Sequence, residues 1–595
     1  MAGTYLSALL VLLAAAGLGQ GLFFLCGRRE WSWLAPSIGL AALCATAWGA
    51  LNLTGEPAAA LGLIAVAAAG GLAVLVDQRR SLVGGAAAAA LALLLASLPF
   101  IVEQRFGILG TSLNPDMSQH LFAADRLLSG GSERLIEEGY PLGPHAVAVG
   151  LAELRPSLVE AFGGLTLAIA VCATLAPLAL LERARALTRL GVALLVGFAY
   201  MASSYLIQGA FKETLQALLV LAFAIVLREL AAGTLGGRAP ERRWGVLRAV
   251  PLAALAAGSV YAYSFPGLAW LIGGAGIWAL AELAASRSLA PLRAAVPAAL
   301  VAIGALLVAT LPEAGRIADF ASFETFDPDG AGLGNLFNPI SPLEALGIWP
   351  SGDFRLDPGA GFAPAAVFWL GSALGAAALS VGLVVAIRRR ELALPAVLAA
   401  GALLYLYPLV AGTPYQEAKA IAVVAPLAML CALRPLLPPE PEVADLPDPS
   451  GRSPRWVPAL LALFTLAAAG SSVLALVNGP VGPVDWGPEL IELRASGELG
   501  PGGEDGDDTL IVGSRDYMVG ERGEDLVLWE LRGGRVCAAW PETEGASVPA
   551  PDGVDRFVFF EAPEVISVVE APAETSRAPG SCPYISDGAR ADPAE

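Results

Sequence analysis

The chain has 595 residues, of which 56% are hydrophobic and only 15% charged, with a mean hydropathy of +0.64. A soluble protein of this size carries roughly 25% charged residues, so a soluble multi-domain enzyme, a disordered chain and a nucleic-acid binder are excluded. Repeated apolar stretches of about 20 residues match the hydrocarbon core of a bilayer and define a polytopic membrane protein with an all-α core.

Fourteen apolar segments are expected to span, near 4–26, 34–53, 57–76, 82–102, 157–181, 190–207, 212–231, 248–264, 266–286, 294–312, 363–387, 392–411, 415–437 and 456–477, the shortest of them open to being broken helices. The first lacks a basic leader and is followed by Arg28 and Arg29, unlike a signal peptide. Arginine placement sets the orientation. Alternate turns, from 27–33 to 434–455, hold 20 arginines, against 8 basic residues in the other set up to residue 480. The arginine-rich set is read as cytoplasmic, which makes the protein a multi-pass plasma-membrane protein. The Pro-rich stretch 435–455 is a flexible cytoplasmic crossover.

Four regions follow: spans over 1–102, a long outer loop over 103–156, a transmembrane core over 157–477 with a second outer loop at 313–362, and an outer tail over 478–595. The tail holds 24 acidic residues against 8 arginines, and so −16 of the total charge of −18. Strand-like runs at 509–514, 525–531 and 556–561 make it a small extracytoplasmic α/β or β-rich domain. Cys26, Cys44, Cys172 and Cys431 lie in apolar segments and read as core residues. Cys537 and Cys582 lie in the tail, where an oxidising compartment would let them pair. No cysteine spacing resembles a metal knuckle.

The loop 103–156 contains both histidines of the protein, His120 and His145. Asn114 is an N-cap, Pro115 suits the first helical position and Gly130-Gly131 stops the helix. Met117, Leu121, Ala124 and Leu128 then form the apolar stripe of a short surface helix. Asp116 and His120 are four apart and share a face, with Asp125 further along. Two readings stand for Asp116: a general base with His120 beside it, or a first-turn carboxylate favoured by the helix dipole. Beyond it, Tyr140-Pro141 is extended, and Gly143-Pro144 opens a second helix with His145 in its first turn. Its N-terminus can receive an anion, or it can be a turn into a re-entrant or amphipathic helix.

The chain has only two lysines, Lys212 and Lys419, among 36 basic residues. Both lie at outer helix ends of matching chemistry: Gln208, Lys212 and Glu213 in one, and Tyr415, Gln416, Glu417 and Lys419 in the other. They either snorkel to the interface or supply a point charge to a phosphate at that depth. Tyr200, Tyr205, Tyr261, Tyr263, Tyr405 and Tyr407 form either an interfacial aromatic belt or stacking surfaces for sugars.

With its many spans, its acid-bearing first long outer loop and its outer C-terminal domain, the chain resembles the GT-C membrane glycosyltransferases. NPDMSQH, GYPLGPH, FKE and YQEAK look like motifs of large actinobacterial membrane proteins of that superfamily, and the likeness covers roughly residues 82–437. The resemblance implies inverting transfer of a sugar from a polyprenyl-phosphate donor to a glycan or lipid acceptor of the cell envelope. It places the catalytic carboxylate on Asp116; on the residues' own chemistry His120 is expected to assist it, and Tyr140, His145, Lys212, Glu213, Gln416 and Lys419 to bind substrate. Asp116 follows the fourth segment rather than the first, and has no paired acid. No cofactor is called for, and a divalent cation is left open. Two other classes remain: a transporter or flippase of lipid-linked glycans, disfavoured because charges sit at segment ends rather than the midplane, and a non-enzymatic envelope assembly protein.

Overall fold

The computed structural model describes residues 1–111, 113–114, 116–130, 134–233, 245–323, 332–361, 363–437 and 456–482, and in the tail residues 508–513, 529, 536–539, 550–551, 554–562, 565–570 and 577–578. Small residues set how the first helices meet. Helices α1 (Ala2–Leu25), α2 (Ala35–Thr54) and α3 (Pro57–Asp77) approach so closely that a Cβ on Gly39 would lie 1.7 Å from the Ala15 carbonyl oxygen. A Cβ on Gly71 would lie 1.9 Å from that of Leu13. In a bilayer such backbone proximity replaces the hydrophobic drive that packs helices in water.

Then follow α4 (Arg79–Ala96), α5 (Leu98–Val102), and three short helices, α6 (Asp116–Ser129), α7 (Arg134–Glu137) and α8 (Gly143–Ala152). The remaining helices are α9 (Leu158–Leu175), α10 (Ala186–Gly197), α11 (Tyr200–Ile207), α12 (Phe211–Ala231), α13 (Val250–Tyr263), α14 (Gly267–Ser286), α15 (Ala290–Thr310), α16 (Ala314–Phe320), α17 (Ala365–Arg388), α18 (Ala393–Ala411), α19 (Pro414–Ala432) and a last apolar helix, Trp456–Val477.

Among the described residues, 12 helices are long and apolar enough to cross a membrane, or 13 if α10 and α11, bent by 53°, are one span. The chain is thus a polytopic helical membrane protein. Two of the fourteen expected spans are modified. The segment 82–102 divides at Ser97, because Pro99 cannot donate into a continuing helix and crowds the turn before it. The segment 190–207 breaks at Phe198-Ala199, just after Gly197, where a Cβ would lie 2.2 Å from Thr174 Oγ1.

Helices α9, α12 and α19 form the core, buried along almost their whole length, with the charged residues of α12 and α19 confined to their ends. α15 has no buried residue and stands at the perimeter. Cys26, Cys44, Cys172 and Cys431 are buried free thiols. At the end of α12 remote from Lys212, Glu391 accepts from Arg228 at 2.9 Å and from Arg434, all three buried. Lys212 and Arg228 are separated by about 24 Å of helix axis.

In the tail, β1 (Asp508–Gly513), β2 (Val536–Ala539), β4 (Val554–Ala562) and β5 (Val565–Glu570) form a sheet in the order β2-β1-β4-β5, while β3 (Ala550–Pro551) pairs with β6 (Arg577–Ala578). β1 runs parallel to β2 and β4, and β5 is antiparallel to β4. Two of the strand-like runs coincide with β1 and β4. The third, 525–531, lies outside the described residues except at Trp529, and Cys582 also lies outside them.

Candidate functional site

The site is built where α6, α8, α12 and α19 meet. Asn114 starts α6 by accepting the Asp116 amide on its Oδ1 at 3.1 Å, which spares one of the unpaired amides of the first turn. Gly130, at φ +74°, ends the helix. The stripe of Met117, Leu121 and Ala124 is buried against protein, not laid on lipid. α8 opens at Gly143-Pro144 and is buried at every residue through Leu151, as a re-entrant helix would be rather than an amphipathic surface one.

This packing pairs the two histidines. His145 Nε2 lies 3.2 Å from His120 Nδ1, so one imidazole donates to the other. Phe211 and Tyr140 enclose His120, with ring centroids at 4.8 and 5.7 Å. Neither α6 nor α8 is among the spanning helices. Burial, then the Lys212 charge, with His145 and Lys419 contributing less, holds the His120 imidazole well below the usual histidine range. Burial, with the Arg316 charge, pushes His145 down to about 3. Both rings are therefore neutral near pH 7. His145 Nδ1 is buried with no hydrogen-bond partner among the described residues.

Asp116 meets α19 directly: the Tyr415 hydroxyl donates to its Oδ2 at 3.2 Å. The Lys419 ammonium lies 4.0 Å above the Tyr415 ring and 3.1 Å from Glu213 Oε1, which the Tyr263 hydroxyl approaches at 3.5 Å. Lys212 stacks its ammonium 4.0 Å above the Tyr140 ring. Among the described residues it makes no hydrogen bond or ion pair, although it is only 9% exposed. It also stands in the first turn of α12, where the helix dipole disfavours a cation. Asp116 interacts electrostatically with both ammonium groups.

Of the residues singled out in the sequence, Asp116, His120, Tyr140, His145, Lys212, Glu213 and Lys419 thus stand together. Gln416 is placed differently: its Oε1 accepts the Thr413 amide at 3.3 Å, completing a capping box at the start of α19. Tyr200 and Tyr261 point their hydroxyls to Ser351 and to the Ala309 carbonyl, and Tyr407 is exposed, whereas Tyr263 approaches Glu213 and Tyr205 interacts electrostatically with Glu213 and Lys419.

Several supporting residues carried no local signal. Arg316 donates to the Ile136 carbonyl at 3.0 Å and to that of Tyr140, which holds the backbone of the residue whose ring lies under Lys212. Asn335 donates to the Leu113 carbonyl at 3.0 Å and to Gln208 Oε1 at 2.7 Å, and Arg355 reaches the same carbonyl at 3.4 Å while paired to Asp353 at 2.7 Å. Pairing of Ile108 with Gly482, at 3.1 and 2.8 Å, ties down the approach from the other side. Among the described residues no group of three or more His, Cys, Asp or Glu side chains could hold a metal ion.

Fold and site together define a polytopic helical membrane protein with two ammonium groups, two carboxylates and a neutral imidazole pair gathered at one end of its bundle. No family model and no curated protein matches the chain. Among solved structures it is similar to the arabinofuranosyltransferase AftD from mycobacteria, with 21% identity and a TM-score of 0.43 over 73% of this chain and 30% of that one.

Proposed function

We propose that the protein is a membrane glycosyltransferase that moves a sugar from a polyprenyl-phosphate donor to an extracytoplasmic acceptor of the cell envelope, with inversion. One observation carries the reading: a carboxylate, Asp116, and an ammonium, Lys212, that makes no hydrogen bond or contact ion pair among the described residues share one site. Transfer from a phosphate-linked sugar needs both. A base must take the proton of the acceptor hydroxyl as it attacks the anomeric carbon, and a cation must stabilise the departing phosphate.

In this reading Asp116 is the base, oriented by Tyr415. Lys212 receives the phosphate at the N-terminus of α12, where backbone amides also favour an anion. Lys419, already held by Glu213, adds charge without being free to move. The neutral His120–His145 pair offers a donor or acceptor to a sugar hydroxyl without adding charge. The arginine count supports an orientation with this end of the bundle, and the tail, outside the cytoplasm. The test is transfer of labelled sugar from polyprenyl-phosphate donors in proteoliposomes. Asp116→Asn keeps the shape and removes the base, so turnover falls by about 10²–10⁴-fold with the fold intact. Wild-type turnover in that variant would overturn the assignment.

A further inference from the structure

A second site lies at the opposite, arginine-rich end of the bundle, and it is independent of the reading above. Between α12, α13, α14 and α15 runs an apolar groove of about 830 Å³, lined by side chains such as Phe223, Ala256, Ile272 and Ala302. Beside it is a polar pocket of about 270 Å³ lined by Arg228, Arg389, Arg390, Glu391 and Ser286. Ala231 and Glu282 line both cavities, so the two adjoin. The groove's volume falls in the range of ligand pockets, roughly 300–1,000 Å³. One of its walls, α15, has no buried residue, so the groove lies at the perimeter, where a chain can enter sideways from the bilayer.

Among the described residues, cationic side chains outnumber carboxylates in the lining of the two adjoining cavities. Arg228, Arg248, Arg389 and Arg390 line the two cavities, against Glu282 and Glu391. Glu391 is already bound by Arg228 and Arg434. The Nε of Arg248 is buried with no hydrogen-bond partner among the described residues. Arg390 is held at φ +56°, a conformation that favours glycine, in the turn that ends α17. A cationic pocket adjoining an apolar groove matches a molecule with one anionic head and long apolar chains.

We propose that this site seats an anionic phospholipid of the adjoining leaflet, with its phosphate among Arg228, Arg389 and Arg390 and an acyl chain in the groove. A soluble anion would use the pocket and leave the groove to other lipid. The head site stands about 24 Å along α12 from Lys212, which separates it from the candidate transferase site.

The test is lipid titration of the full-length protein in detergent, read by native mass spectrometry, with phosphatidylglycerol, phosphatidylcholine of the same chains, and glycerol phosphate. Phosphatidylglycerol is expected to bind most tightly. The double variant Arg389→Gln, Arg390→Gln should weaken it on the order of thirty-fold. Arg389→Lys with Arg390→Lys should restore most of the affinity, which separates lost charge from lost folding. Ala302→Phe, which fills the groove, should weaken the phospholipid and leave glycerol phosphate unchanged. Equal binding of phosphatidylcholine, an unchanged affinity in the glutamine or phenylalanine variants, or glycerol phosphate binding as tightly as the lipid would each overturn the proposal.

Discussion

Lys419 and Glu213 form an ion pair of 3.1 Å that joins α19 to α12, with side chains 15% and 5% exposed. Lys212, the residue before Glu213, rests on the Tyr140 ring instead. The two lysines of the chain are therefore not equivalent, though their sequence surroundings look alike. One is held in a contact ion pair, and the other rests on an aromatic ring with the Glu213 and Asp116 charges nearby.

Substitution should separate them. Lys212→Ala is expected to weaken donor binding by about 1.5–3 kcal/mol, the loss for a charged hydrogen bond, with little change in Tm. Lys419→Ala leaves Glu213 buried without its cation and should cost about 3–5 kcal/mol of stability. Adding Glu213→Gln to Lys419→Ala should recover much of that loss. Thermal unfolding in detergent and donor titration, measured on the same preparations, check both halves. Equal stability losses in the two alanine variants would contradict the division.

Tyr415→Phe tests the Asp116 contact. The ring remains, so the stacking of Lys419 at 4.0 Å should persist, while the donor to Asp116 is lost. One neutral-to-charged hydrogen bond is worth about 1.5–3 kcal/mol. If most of it acts on carboxylate placement, kcat falls by roughly ten- to a hundred-fold and Tm changes little. Wild-type kcat in this variant would mean that Asp116 is oriented without Tyr415.

What could be read in the sequence was what local chemistry decides. Asn114 and Gly130 bound α6 as expected, and Gly143-Pro144 opens α8, because caps and breakers act within a few residues. The pairing of His120 with His145 was not legible, since it depends on how α8 is buried among α2, α3 and α9. Asn335 and Arg355 act on Leu113 from 222 and 242 residues away, and nothing in their own surroundings announces it. Gln416 is a different case: Thr413-x-x-Gln416 is a capping-box pattern, readable from the sequence alone.

The close contact between α1 and α2 makes a sharp stability prediction. Gly39→Ala would place a Cβ 1.7 Å from the Ala15 carbonyl oxygen, and backbone cannot yield as a side chain can. A loss of about 1–3 kcal/mol or more is expected from such overpacking. Gly49→Ala in the same helix meets nothing within 4 Å and should leave stability unchanged or raised. Matched thermal unfolding of the two variants checks the contrast.

The buried imidazole pair predicts how stability depends on pH. In the folded protein His145 is pushed down to about 3, and His120 is also held well below its usual range. In the unfolded chain both titrate near pH 6.5. Between those values the unfolded state binds protons that the folded state refuses, so stability rises with pH across that window and levels off above it. Acidification from pH 7.5 to 5 should therefore lower Tm, each histidine contributing up to about 1.4 kcal/mol per pH unit below 6.5. Carboxylates elsewhere add their own dependence, so the informative quantity is the difference between wild type and a variant. His145→Gln removes one titrating group and keeps a side chain that can hydrogen-bond His120. Its Tm should fall less steeply over the same interval, whatever its absolute value at pH 7.5. Parallel curves for the two proteins would mean that His145 accepts a proton as readily folded as unfolded, and the buried neutral pair would have to be abandoned.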